Sequence, residues 1–468
     1  MSFVSLTFAV FFLVFVCLYH LCTRLKTNAL LFQQILLFVA SFAFYCASDL
    51  RFLPFLLYII ALSYFAGLYC KNKIAFIAFL IADLAPLLFF KYSKTHLIFP
   101  LGLSFFTFQS ISYIADCFTG KIKSERNPFY VALFITFFPT ISSGPIQRPS
   151  NLLPQLKSLH KFDYDNATDG MKLFAWGLFK KLCIADRIAL YVNYVYLNAS
   201  ESHSVALLME VLLYSFQIYT DFSGYSDMAI GVAKYLGFDA GKNFDHPYLS
   251  ASIGEFWRKW HISLSSWLKD YVYIPLGGSR VALPRVYLNI VITFLVSGIW
   301  HGAGLTFVVW GLLHGAYQCV ERAIKPLKEK IPCAVNVAIT FVLASFAWIF
   351  FRAENMQTAL LVIKGISHLA NDILSLPTLK NSLGLKEALR TLFALDGANF
   401  GGITGMAECL FVLFIFVAIE FFSKNKNVLH SIKQKNAVVR WTGYYALSAL
   451  FLFFFTTGIS SNFIYNNF

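Results

Sequence analysis

Two histidines stand in polar, aromatic-rich text inside an otherwise apolar chain. His261 lies in Phe256-Trp257-Arg258-Lys259-Trp260-His261-Ile262-Ser263-Leu264-Ser265, and His301 in Ser297-Gly298-Ile299-Trp300-His301-Gly302. Histidine is the side chain best suited to moving protons near neutral pH. An ionisable residue kept inside a membrane segment is read as functional unless a partner explains it. The chemistry on offer is proton transfer to or from a substrate that reaches into the bilayer.

The two settings differ. An apolar run, 286–300, precedes His301, and Gly302 and Gly304 follow before another apolar run opens near Thr306. His301 is therefore expected at a break between two membrane segments, where its ring reaches a cavity. A buried histidine satisfied by a nearby carbonyl is the plainer alternative, and its depth in apolar text weighs against that. Around His261, a helical wheel of 256–271 puts Trp257, Trp260, Leu264, Trp267, Leu268 and Tyr271 on one arc, and Arg258, Lys259, Ser265, Ser266, Lys269 and Asp270 on the other. This predicts an amphipathic helix lying along the interface or dipping into the protein, with His261 at the margin of the apolar arc. A structural histidine or interfacial anchor explains His261 as well as a functional one does. His314, in Trp310-Gly311-Leu312-Leu313-His314-Gly315, reads as helix–helix contact.

Asp221 and Asp227 sit in Tyr219-Thr220-Asp221-Phe222-Ser223-Gly224-Tyr225-Ser226-Asp227 and need partners. One of them can orient a histidine; a structural ion pair with Arg258, Arg187 or a lysine is the favoured reading. Gly277-Gly278, after Pro275 and before Arg280, can hold an anion on backbone N–H groups, although an ordinary turn is the better reading. The chain has no Gly-x-Ser-x-Gly elbow, no Walker loop and no metal-binding His pair at i, i+4. Histidine, hydroxyls and backbone dipoles remain, a kit suited to general-base activation of an alcohol.

The elements that must position these residues are membrane helices. Hydrophobic residues make up 58% of the 468-residue chain and charged residues 13%, about half the charge of a soluble domain. Apolar runs predict helices near 3–22, 28–48, 52–70, 74–91, 101–119, 129–146, 170–197, 205–236, 286–300, 304–324, 333–351, 403–423 and 441–459. The first is expected to be a retained helix, with the N-terminus outside by the charge of the first links. The run at 205–236 is expected to break at Asp221, Gly224 and Asp227, and the run at 129–146 at Ser142-Ser143-Gly144-Pro145. Irregular backbone in a bilayer must face protein or a water-filled cavity, so residues 140–315 should line one. The stretches 150–170 and 371–400 read as surface loops with short helices. The net charge of +14 fits basic cytoplasmic loops, and no run resembles a nucleic-acid patch. The nine cysteines are scattered without metal-ligand spacing, so neither a metal nor a bound cofactor is expected.

These motifs resemble the membrane-bound O-acyltransferase family, in its bacterial branch of alginate O-acetylases, peptidoglycan O-acetyltransferases and teichoic-acid D-alanyl transfer proteins. The resemblance rests on Tyr219–Gly231, Pro247–Arg280 and Ser297–Gly315, with Ser143-Gly144-Pro145-Ile146-Gln147-Arg148 and the ending Phe463-Ile464-Tyr465-Asn466-Asn467-Phe468. It implies that His301 is the catalytic histidine and His261 the second motif histidine, with Trp260, Arg258, Trp300, Asp221, Tyr219 and Ser297 binding substrate or donor. It also implies an all-α ring of roughly 11–13 membrane helices around a thin centre. One unit is expected, with peripheral helices over 1–100, a catalytic core over 101–351 and C-terminal helices over 352–468. Acetyl-CoA is the implied donor. The implied partners are a cell-envelope polysaccharide, peptidoglycan before alginate, an extracytoplasmic acetyltransferase- or esterase-like protein, and membrane lipid. The implied location is the bacterial inner membrane. A flippase using the histidines as proton relays is the rival from another class; the chain shows no internal repeat to support it. A structural scaffold for an envelope enzyme, in which both histidines are replaceable, is a third reading.

Overall fold

The computed structural model describes residues 1–93, 99–395, 400–424 and 433–455, and the described residues are helical with no strand. The first four helices are α1 (Leu6–Cys22), α2 (Ala29–Cys46), α3 (Leu53–Tyr69) and α4 (Lys73–Tyr92). They keep long stretches of apolar surface outward, as lipid-facing helices must. Next come α5 (Leu103–Phe118), almost wholly buried, and the short α6 (Pro128–Thr136) and α7 (Pro149–Leu156). Between α6 and α7 the chain is irregular yet buried from Phe137 to Gln147, so the run expected over 129–146 does break, but at Phe137, before Ser142-Ser143-Gly144-Pro145.

Helix α8 (Tyr164–Phe179) runs through a π-helical turn, 180–185, into α9 (Asp186–Leu197). Helix α10 (Ser204–Tyr235) packs along α8. The contact is close because glycines face each other: a Cβ on Gly177 would lie 2.4 Å from the Gly224 carbonyl oxygen. The expected break of this run does not occur. Helix α10 is continuous for 32 residues, because Gly224 serves helix contact and both acids find lysines across the interface. Lys180 Nζ lies 2.7 Å from Asp227, and Lys181 Nζ lies 2.7 Å from Asp221 and 2.8 Å from Asp186. The π turn presents both lysines to α10.

The predicted amphipathic helix is also corrected. It is split into α11 (Ile253–Lys259) and α12 (Ile262–Leu268), followed by a π turn, 269–273. The break falls at Trp260-His261, where His261 takes left-handed backbone (φ 45°), a conformation a non-glycine residue holds only under tertiary constraint. The segment is internal: Trp257, Trp260, Leu264 and Trp267 are all buried. The Gly277-Gly278 segment is an ordinary turn, its N–H groups bonded to the Ile274 and Tyr273 carbonyls.

Helices α13 (Leu283–His301) and α14 (Leu305–Ala323) form a hairpin broken at Gly302, as expected for His301. A single turn, α15 (Lys325–Lys328), leads to α16 (Cys333–Arg352), then to α17 (Met356–Ile366), α18 (Leu369–Leu383) and α19 (Leu385–Leu392), and finally to α20 (Gly402–Ser423) and α21 (Ala437–Phe455). Among the described residues eight helices are long and apolar enough to cross a bilayer, or nine if the bent pair α17–α18 counts as one span. The expected ring of roughly 11–13 membrane helices includes broken ones, and runs such as those of α5 and α6 are helices too short to be counted among the eight. The all-helical, multi-pass character stands. The ending Phe463–Phe468 lies outside the described residues.

Candidate active site

His301 is the last residue of α13, and its ring is fixed by its own helix. Nδ1 lies 2.7 Å from the Ser297 carbonyl oxygen. A carbonyl oxygen only accepts, so Nδ1 carries the proton and Nε2 is the basic nitrogen. The ring is walled by Trp300 (centroids 4.6 Å), Trp310 (4.7 Å) and Phe351 (5.3 Å).

His261 reaches the same end of the protein from the α11–α12 linker. Its Nδ1 lies 3.1 Å from Asn243 Oδ1, which also accepts from the Ser263 backbone N–H at 3.2 Å and the Ser263 hydroxyl at 2.9 Å. The backbone N–H can only donate, which identifies the Asn243 atom as oxygen and makes His261 Nδ1 a donor. His261 Nε2, the basic nitrogen, is buried and has no hydrogen-bond partner. Burial, and secondarily the nearby His301, hold this imidazole well below the ordinary histidine range, so it is neutral. The two histidines thus share one tautomer and meet at one residue: His261 lies 6.4 Å from Trp300, centroid to centroid.

The end of α13 is capped from another helix. A break at Gly302 leaves the last carbonyls of α13 without helical donors. Tyr92 Oη donates to the Ile299 carbonyl at 2.8 Å, and Lys91 Nζ donates to the Trp300 carbonyl. A cation is favoured at a helix C-terminus. Helix α4 therefore holds the last turn on which His301 rides. His314, on α14, accepts from Trp257 Nε1 at 3.2 Å and ties α14 to α11, as its reading as helix contact implied.

The other predicted residues separate. Trp300 and Ser297 belong to the site, through the ring contacts and the carbonyl above. Trp260 is buried behind His261 in an aromatic cluster with Trp348 (5.0 Å), Phe256 (5.4 Å) and Tyr219 (5.8 Å). The Tyr219 hydroxyl donates to Glu420 at 2.7 Å, and Glu420 also faces His246 Nδ1 at 3.1 Å, which ties the cluster to α20. Asp221 is held in the buried pair with Lys181, in line with the structural reading. Arg258 is exposed on the surface of α11 and has no place in the cluster. Sequence reasoning missed Asn243, Lys91, Tyr92 and Glu420. The polar run Asn243-Phe244-Asp245-His246 was a visible signal; nothing local marked Lys91 or Tyr92.

The match to known proteins decides the family. The model of the membrane-bound O-acyltransferase family matches residues 6–356. The chain belongs to that family. This acyltransferase is 35% identical to the peptidoglycan O-acetyltransferase of Helicobacter pylori, over 94% of this chain and 92% of that one. It is 35% identical to the probable alginate O-acetylase AlgI of Pseudomonas aeruginosa, over 79% of this chain and 76% of that one. It is 30% identical to the teichoic acid D-alanyltransferase of Bacillus subtilis, over 43% of this chain and 53% of that one. The acyltransferase is a multi-pass membrane protein. Its two motif histidines, each with the proton on Nδ1, both lie beside Trp300 in the buried interior.

Proposed function

We propose that this acyltransferase moves an acetyl group from cytoplasmic acetyl-CoA to hydroxyls of an extracytoplasmic cell-envelope polysaccharide, peptidoglycan, from the bacterial inner membrane. The observation that carries the reading is His301 at the helix break, its Nδ1–H tied to the Ser297 carbonyl so that Nε2 is the base. The peptidoglycan acceptor rests on the relative that aligns over 94% of this chain, against 79% for the alginate relative. An extracytoplasmic acetyltransferase- or esterase-like protein completes delivery to the polymer.

In this mechanism the acceptor hydroxyl gives its proton to His301 Nε2 as its oxygen bonds to the thioester carbonyl carbon. The tetrahedral oxyanion collapses, the C–S bond breaks, and the imidazolium returns the proton to the leaving thiolate. His261, held as the Nδ1–H tautomer by Asn243, positions the donor through its lone pair at Nε2. A general base contributes ~10²–10⁴-fold; positioning and charge stabilisation in a dry site supply the rest. The test is transfer from labelled acetyl-CoA by His301→Ala that remains monodisperse, with a loss of ~10²–10⁴-fold expected. Wild-type turnover would remove His301 from the mechanism. Mass analysis of wall glycans and exopolysaccharide from a deletion strain tests the acceptor: loss of acetyl from exopolysaccharide alone transfers the assignment to that polymer.

A further inference from the structure

A cavity of about 670 Å³ lies between α4, α5 and α13; it shares Trp300 with the ring contacts of the two histidines, and neither histidine lines it. Its walls are apolar and include Leu80, Leu84 and Leu87 of α4, Ile111 of α5, and Val296 and Trp300 of α13. It follows α4 from Phe76 to Lys91, about 22 Å at ~1.5 Å per residue. One leaflet of hydrocarbon is ~15 Å, so the groove takes a whole acyl chain.

The charges on its wall are unequal. At one end Asp116 pairs with Lys121 at 3.4 Å and accepts from the Tyr271 hydroxyl, and Asp270 pairs with Arg148 at 3.0 Å. At the other end Lys91 contacts a carbonyl and the rings of Phe99 and Trp300, and among the described residues no carboxylate faces it. An ammonium in such a place is matched by an anion. Beside it, the indole N–H of Trp300 is buried without a hydrogen-bond partner.

We propose that this groove binds one anionic phospholipid, its phosphate against Lys91 and one acyl chain along α4. Lys91, Tyr92, Ile299 and Trp300 all line the cavity, so an occupant touches the capped last turn of α13. Phosphate recognition by a lysine, an apolar channel and the membrane surroundings all point to the same ligand class.

The experiment is native mass spectrometry of the full-length protein in detergent with phosphatidylglycerol or chain-matched phosphatidylcholine. Wild type is expected to retain one phosphatidylglycerol in preference to phosphatidylcholine. Lys91→Gln should lower that preference about fivefold, the weight of one basic residue at an anionic lipid surface. Leu84→Trp or Leu88→Trp, each filling the groove from α4, should abolish retention of both lipids. Equal retention of the two lipids by wild type overturns the proposal, as does retention unchanged by either tryptophan. Release of the bound lipid by acetyl-CoA also overturns it and assigns the groove to the donor.

Discussion

Replacing Asn243 with leucine tests whether His261 must be held as one tautomer. Asn243 Oδ1 takes the Ser263 backbone N–H, the Ser263 hydroxyl and His261 Nδ1–H, all buried. Leucine keeps the volume and removes the acceptor. The Ser263 hydroxyl can rotate, whereas the backbone N–H and the ring N–H cannot. Each donor left unpaired costs ~1–3 kcal/mol, so the fold loses ~2–6 kcal/mol. His261 relieves its share by shifting the proton to Nε2, which turns the nitrogen that meets no protein partner from an acceptor into a donor. A tautomer preference of ~1–3 kcal/mol is about 5–150-fold in population, and acetyl transfer should fall by that factor. Transfer is measured per monodisperse molecule from labelled acetyl-CoA, and stability by the temperature at which the detergent-purified protein loses its monodisperse peak. Asn243→Asp keeps an acceptor, and Asn243 Nδ2 has no partner to lose. Its carboxylate favours the imidazolium, so Asn243→Asp should fold better than leucine, lose activity at low pH and regain it as pH rises. An Asn243→Leu protein that melts with wild type and turns over at the wild-type rate refutes the reasoning.

Lys181→Met removes the ammonium that pairs with both Asp221 and Asp186 in the interior; removing one partner of a buried pair costs ~3–5 kcal/mol. The yield of monodisperse protein should collapse, and a normal yield would show the cluster to be dispensable. A Cβ on Gly298 would lie 2.4 Å from the Phe307 carbonyl oxygen. Gly298→Ala must therefore push α13 from α14 and is expected to cut turnover more than ~10-fold by misplacing His301; unchanged turnover counts against a rigid seat for that ring. Tyr92→Phe removes one hydrogen bond to the Ile299 carbonyl, worth ~1 kcal/mol. It should lower turnover about fivefold with little change in acetyl-CoA KM, and a KM effect alone would move Tyr92 from the helix cap to donor binding.

The sequence alone determined that the chain is a multi-pass helical membrane protein and that its centre is broken. Apolar runs must be helical in hydrocarbon, because every backbone N–H and C=O has to be satisfied within the segment. It also placed His301 at a helix break, since Gly302 and Gly304 interrupt an apolar run. The structural reading of Asp221 and Asp227 followed from the expense of a lone acid in that setting. Other points needed tertiary structure. Residues 256–271 carry a clean helical period, yet the helix breaks at His261, because Asn243 captures Ser263 and the ring from outside the segment. Asp221, Gly224 and Asp227 look like helix interruptions, but α10 passes through them on lysines and a glycine supplied by the α8–α9 strand of helix. Arg258 shares a motif with His261 and still faces outward, because α11 ends at Lys259 and the left-handed backbone at His261 takes that ring off the helix period. The meeting of both histidines at Trp300, and the capping of that turn by Lys91 and Tyr92, join residues far apart in the chain. Local periodicity reports only which face of a segment is apolar; which distant group satisfies a buried proton or carbonyl is fixed when the helices pack.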